Sequence, residues 1–161
     1  MEEIDSQKMY KIYEEWPNLS KKYFEKNFEK IRVSNINHII FAGMGGSGAL
    51  GDIFSSILSK TNIQVSVVKG FHLPSTINNK SLVITTSVSG NTKETLRVLD
   101  LANKQESKII SFSSGGKMEQ FCNNNQIIFR KISLFHSPRT SLINFTYSIL
   151  KILNSILNIY S

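Results

Sequence analysis

The chain of 161 residues is poor in several things at once. It has a single cysteine, Cys122, so no internal disulfide can form, and the sequence gives no sign of a secreted, disulfide-stapled scaffold. Three prolines and nine glycines exclude collagen-like and linker-like compositions. No segment reaches the eighteen uninterrupted apolar residues of a membrane-span candidate, and the first residues, MEEIDSQK, are acidic and polar rather than signal-like. The expectation is a soluble, cytoplasmic protein without a membrane partner. Alanine is scarce, three against 21 isoleucines, which reads as a compositional bias of the genome. Acidic residues are scarce in the second half: residues 60–161 carry twelve Lys/Arg against four Asp/Glu, whereas residues 1–59 carry seven against eight.

What is present is a 40% hydrophobic chain with scattered charge, enough for one folded domain. The basic excess favours an anionic partner. The cations are spread from Lys60 to Arg139 with no aromatic-interleaved basic run, so a nucleic-acid partner is not expected.

The first 35 residues read as a helical segment. Ile4, Met9, Tyr10, Ile12, Tyr13 and Trp16 fall on a near-helical spacing that Pro17 interrupts. A second helix then starts, capped by Asn18 or Ser20, with Leu19, Tyr23, Phe24 and Phe28 on one face. From residue 36 to 161, apolar β-branched runs alternate with helical stretches. Strands are expected at Asn37–Ala42, Ile63–Val68, Ser81–Thr86, Lys108–Ser113 and Gln126–Arg130, and helices at 48–59, 91–104, 116–122 and 139–159. Strands buried on both faces and joined by helices give an α/β fold, a doubly wound three-layer α/β/α sandwich on a five-stranded parallel sheet. The last helix is apolar nearly all round, from Leu142 to Tyr160, so it needs a second covering surface. A homodimer partner or another domain is the expected source.

Two loops carry chemistry. Gly43-Met44-Gly45-Gly46-Ser47-Gly48 follows the first strand, satisfies G-x-G-x-x-G, and opens a helix whose N–H groups can face an anion. A NAD site also needs an acid after the second strand; Val67-Val68-Lys69 stands there and Asp52 is the only acid between Gly43 and Gly90, so NAD is disfavoured. Lys69 could hold a 2′-phosphate, which keeps an NADP-binding Rossmann domain as an alternative. After the third strand, Ser87, Ser89 and Thr92 surround Gly90 at a strand–helix junction, a place where several donors converge on one phosphate. The competing view is an ordinary N-cap at Ser89.

The S-x-S-G-x-T-x-E-T string of Ser87–Thr95 resembles the signature of SIS (sugar isomerase) domains, which bind phosphosugars. With the glycine loop at Gly43–Gly48, Ser114-Gly115-Gly116 and Ser137-Pro138-Arg139, residues 36–150 are similar to the N-terminal half of the bifunctional phosphoglucose/phosphomannose isomerases. Val88 departs from the family's usual aromatic at a position that donates nothing to phosphate. The resemblance implies a hexose 6-phosphate ligand and no cofactor or metal. Ser47, Ser87, Ser89 and Thr92 would hold the phosphate, Gly46 with its neighbour Gly45 would let the sugar approach, and Arg139 would stabilise a cis-enediolate. His136 is the only histidine placed near such a site.

Isomerisation also needs a base. In the resembled family a Glu, a His and a Lys come from a second SIS domain, and members are roughly twice as long. No acid follows Glu119 here, Glu94 reads as a helix cap and Asp52 as structural, so this chain by itself is expected to be nearly inactive. The alternatives are a non-catalytic SIS module that senses a phosphosugar, and a one-domain isomerase completed across a homo-oligomer by Glu119, Glu94 or Asp52.

Overall fold

The computed structural model describes residues 5, 8–28, 31, 33–134 and 136–157. Five parallel strands form one sheet: β1 (His38–Ala42), β2 (Gln64–Val68), β3 (Ser81–Ser87), β4 (Lys108–Ser113) and β5 (Ile128–Lys131), in the order β2-β1-β3-β4-β5. β1 is flanked in register by β2 and β3, His38 opposite both Gln64 and Ser81. All four pairings are parallel; α3, α4 and α5 carry the β1–β2, β3–β4 and β4–β5 crossovers, and residues 69–80 join β2 to β3 without a helix. The helices are α1 (Met9–Glu14), α2 (Trp16–Glu25), α3 (Gly45–Leu58), α4 (Lys93–Lys104), α5 (Gly116–Asn124) and α6 (Leu142–Leu157).

Alternation along the strands builds two separate cores, one on each face. Ile39, Phe41, Leu82, Ile84, Ile110 and Phe112 face one way and pack with Phe54 of α3, Tyr23 of α2 and Phe145, Ile149 and Leu153 of α6. Ile40, Ala42, Val83 and Ile109 face the other way, against Val98, Leu99 and Ala102 of α4 and Met118 and Cys122 of α5. Strands covered on both sides have to be apolar throughout, which is why HIIFA and SLVIT carry no alternation of polarity. The expected three-layer α/β/α sandwich is the fold observed.

The differences lie at element ends. Pro17 does not interrupt a helix. It sits in the first turn of α2, where its missing N–H costs no hydrogen bond, and the break falls two residues earlier at Glu15. Neither Asn18 nor Ser20 caps α2; the Ser20 hydroxyl donates to the Trp16 carbonyl at 2.7 Å. α3 starts at Gly45 and α4 at Lys93, and Arg139 lies in the turn before α6 rather than in its first residues. Ile4, Ile159 and Tyr160 lie outside the described residues.

The second surface for α6 comes from this same chain. α2 packs on it, with Phe24 edge-to-face against Tyr147 (6.4 Å, 87°) and Lys151 Nζ 5.2 Å from the Phe24 ring. No large apolar residue of α6 is exposed among the described residues. The apolarity read as a sign of a partner is therefore met by the N-terminal segment. Asn144 and Ser148, one turn apart on α6, are buried without hydrogen-bond partners.

His38 opens β1 almost fully buried, its Nε2 2.9 Å from Ser66 Oγ. Burial pushes its pKa below the usual imidazole value, an effect that the Thr76 backbone opposes. It is a structural histidine. Cys122 is likewise buried, which raises its thiol pKa and leaves it inert.

Phe54 is fully buried and stacks on Phe41 at 5.4 Å, at the centre of the larger core. Phe54→Ala is expected to lower unfolding free energy by about 3–5 kcal/mol in urea titrations, whereas Ile53→Ala, at a 37%-exposed position beside it, should change it by less than ~1 kcal/mol.

Candidate functional site

The strand order reverses direction between β1 and β3: β1 leads through α3 to the β2 edge, and β3 leads through α4 to β4 on the other side. The loops leaving the carboxyl ends of these neighbours therefore diverge and open a crevice, the usual ligand position in open parallel sheets. Both singled-out loops are these two.

In the first loop, the N–H groups of Ser47 and Gly48 both reach the Met44 carbonyl, at 3.0 and 3.2 Å, closing the first turn of α3. Gly45 and Gly46 precede Ser47, the first N–H to donate within the helix, so their own N–H groups have no intrahelical acceptor and lie at the positive end of the helix. Gly45 has φ +53°, and a Cβ added at Gly46 would meet nothing within 4 Å.

The second loop is held from beneath. Ser87, buried at the end of β3, accepts the Gly90 N–H (3.1 Å) and pairs with Thr92 Oγ1 (2.9 Å). Ser89 is exposed, and its hydroxyl accepts the Asn91 N–H at 3.2 Å. Ser89 is thus not the cap of α4; Thr92 occupies that position and makes no side-chain capping bond. Glu94 lies in the first turn of α4 beside the positive end of its dipole, also without a capping bond.

Ser114-Gly115-Gly116 has a part that sequence reasoning missed: it buttresses this loop. Ser114 donates from Oγ (2.6 Å) and from N (3.1 Å) to the Val88 carbonyl, and Met118 N–H reaches the Gly90 carbonyl at 2.9 Å. Gly90 has φ +68°, and a Cβ there would overlap the Gly115 carbonyl oxygen. A Cβ at Gly116 would come within 2.5 Å of the Ser89 carbonyl oxygen.

Between the two loops lies a cavity of about 520 Å³. Gly46, Ser47, Ser89, Thr92 and Arg139 line its polar side. Tyr13, Trp16, Met44 and Val88, with Leu50, Pro138, Leu142 and Phe145, line the rest. Five of the eight candidates named from sequence are brought together. Ser87 lies behind Thr92, and neither Gly45 nor His136 lines the cavity. His136 sits exposed with φ +57°, near enough to Asp5 to help lower its pKa slightly, behind the larger effect of the Met9 and Tyr10 backbone N–H groups. In the sequence Tyr13 and Trp16 read only as positions on a helical spacing; no periodicity signals that a helix preceding the sheet turns back over the crevice. A larger hollow of about 690 Å³ runs along α2, but its charged groups are exposed Lys21, Lys22, Glu25 and Lys26 and neither motif loop reaches it.

Among the described residues no acid lines the cavity. Asp52 pairs with Lys69 at 2.6 Å and Glu119 with Lys131 at 3.1 Å, both at exposed or half-exposed positions. Lys69, the cation an NADP site would require, is thus already engaged. Among the described residues no three His, Cys, Asp or Glu side chains group as metal ligands, and no helix is long and apolar enough to cross a membrane.

Fold and crevice define a doubly wound α/β domain with its candidate site at the topological switch point. Residues 32–157 match the SIS domain family, and the chain belongs to that family. It is 33% identical over 113 residues to a bifunctional phosphoglucose/phosphomannose isomerase of Caldicellulosiruptor bescii, covering 70% of this chain and 33% of that protein. A protein of the same name from Thermoplasma acidophilum is 37% identical over 89 residues, 55% of this chain and 28% of the relative. The fold matches a glucosamine-6-phosphate deaminase structure from Thermotoga maritima with a TM-score of 0.63 at 19% identity, over 91% of this chain and 48% of that one. The chain spans about a third of the length of the curated relatives it matches.

Because Gly90 cannot gain a Cβ without displacing the Gly115 carbonyl, Gly90→Ala is expected to lose about 3 kcal/mol or more of stability in urea titrations. Gly46→Ala, in open space at an ordinary φ, should change it by less than ~1 kcal/mol.

Proposed function

We propose that this chain is the phosphosugar-binding half of an aldose–ketose isomerase that interconverts glucose or mannose 6-phosphate with fructose 6-phosphate. In this reading residues 1–35 form a helical segment packed on a binding domain of residues 36–161. The observation that carries it is the convergence of Ser47, Ser89, Thr92 and the α3 N-terminus with Arg139 on one cavity at the switch point. The phosphate sits between two helix N-termini, where hydroxyl and backbone N–H donors replace its hydration and the helix dipoles favour its charge. Ser87 contributes through Thr92, whose hydroxyl it orients at 2.9 Å. His136 has no part in this arrangement.

The chemistry is a proton transfer. A base removes the C2 proton of the open-chain aldose, and the C2–H electron pair becomes the C1=C2 bond. The carbonyl electrons move to O1, leaving an enediolate whose charge Arg139 offsets. Return of the proton to C1, with the O2 proton passing to O1 as the O2–H electron pair forms the new C2 carbonyl, yields the ketose. Among the described residues no carboxylate or imidazole lines the cavity, and in this reading the base comes from a second domain or a partner subunit. That same lack supports a second reading, a binding module that responds to a phosphosugar without turning it over.

Calorimetric titration of fructose 6-phosphate, with fructose and NADPH as comparisons, tests the binding claim common to both readings. Binding at micromolar to sub-millimolar Kd that needs the phosphate is expected, weakened at least tenfold, or about 1.4 kcal/mol, by Ser89→Ala combined with Thr92→Ala. No binding of fructose 6-phosphate, or tighter binding of NADPH, contradicts the proposal.

A further inference from the structure

We infer that the elbow between α1 and α2 is the sugar-ring wall of this cavity, with Tyr13 and Trp16 as the residues that set affinity and selectivity for the carbohydrate part of the ligand. The inference rests on the phosphosugar reading above and assigns an element outside the residues that match the SIS family, which begin at residue 32.

Four observations support it. Tyr13 and Trp16 both line the cavity, and their rings meet edge to face at 4.8 Å and 86°, so together they present a fixed aromatic corner. The donors of the two loops and Arg139 line the same cavity, so a ligand anchored there by its phosphate extends its remaining atoms toward the other lining groups, this corner included. The rest of the lining is apolar and offers a sugar few partners for its hydroxyls. A sugar held there must turn its C–H face inward, and those weakly positive hydrogens complement the negative face of an aromatic ring. Finally, Tyr13 is 42% exposed and α1 buries none of its residues, so packing does not account for an aromatic ring at this position.

Trp16 is the only tryptophan in the chain, so its emission reports on this corner alone. The experiment is a fluorescence titration with fructose 6-phosphate and with inorganic phosphate, paired with calorimetry on the unaltered chain and on Tyr13→Ala, Trp16→Ala and Trp16→Phe. Fructose 6-phosphate is expected to change Trp16 emission saturably with the calorimetric Kd, whereas inorganic phosphate leaves the emission unchanged. Tyr13→Ala and Trp16→Ala should each raise the Kd for fructose 6-phosphate about fivefold to tenfold and leave that for inorganic phosphate within about twofold. Trp16→Phe, which keeps a ring, should stay within about twofold of the unaltered chain. Because Tyr13 is partly exposed, its variant reads binding without loss of the fold. Fructose 6-phosphate binding with unmoved emission and an unchanged Kd in Tyr13→Ala overturns this inference and leaves the phosphosugar reading standing. No binding of fructose 6-phosphate overturns both.

Discussion

The loop after β3 can hold its shape only because Gly90 lets it lie directly on the turn that follows β4. Gly90 takes a left-handed φ, the Gly115 carbonyl occupies the space a Cβ would need, and Ser114 ties both its N–H and its hydroxyl to the Val88 carbonyl. Ser87 closes the arrangement from below by bonding the Gly90 N–H and the Thr92 hydroxyl together. Ser89 and Thr92 are thereby set at one rim of the crevice before any ligand arrives. Such preorganisation matters because a charged group meeting fixed donors does not have to order them first.

The other rim depends on the opposite face of the sheet. α3 and α6 share one core with Tyr23 of α2, and this packing brings the chain preceding the sheet over the crevice. The apolar circumference of α6 is thus explained by burial between the sheet and α2. The polar residues left in that helix, Asn144 and Ser148, are buried without partners and represent a cost of about 1–3 kcal/mol each that the surrounding packing must offset.

Much of the fold was legible in the residues. Continuous apolar strands separated by helical stretches define a parallel sheet, and the two loops at the ends of β1 and β3 could be located to within a residue or two. Three features were not legible. Pro17 reads as a break in a linear pattern, yet a first-turn proline is compatible with a helix, and only the geometry at Glu15 decides. The Ser-Gly-Gly turn carries polar groups that look like ligand donors, but their role depends on a contact with residues 88–90 that spacing does not reveal. The wall made by Tyr13 and Trp16 depends on how a helix outside the sheet folds back, a tertiary choice with no local signature. Ser87 illustrates the limit within a motif: its neighbours Ser89 and Thr92 line the cavity, while its own hydroxyl is spent inside the loop.

The central claim is that one anion is held between the two strand-end loops. The most direct test is a two-dimensional ¹⁵N NMR titration of the chain with fructose 6-phosphate, with fructose as the comparison. The account predicts saturable shifts concentrated at the amides of Gly45, Gly46, Ser47, Ser89 and Thr92, absent with fructose. Shifts centred instead on Lys21, Lys22 and Lys26 along α2, with the two loops unmoved, would contradict it.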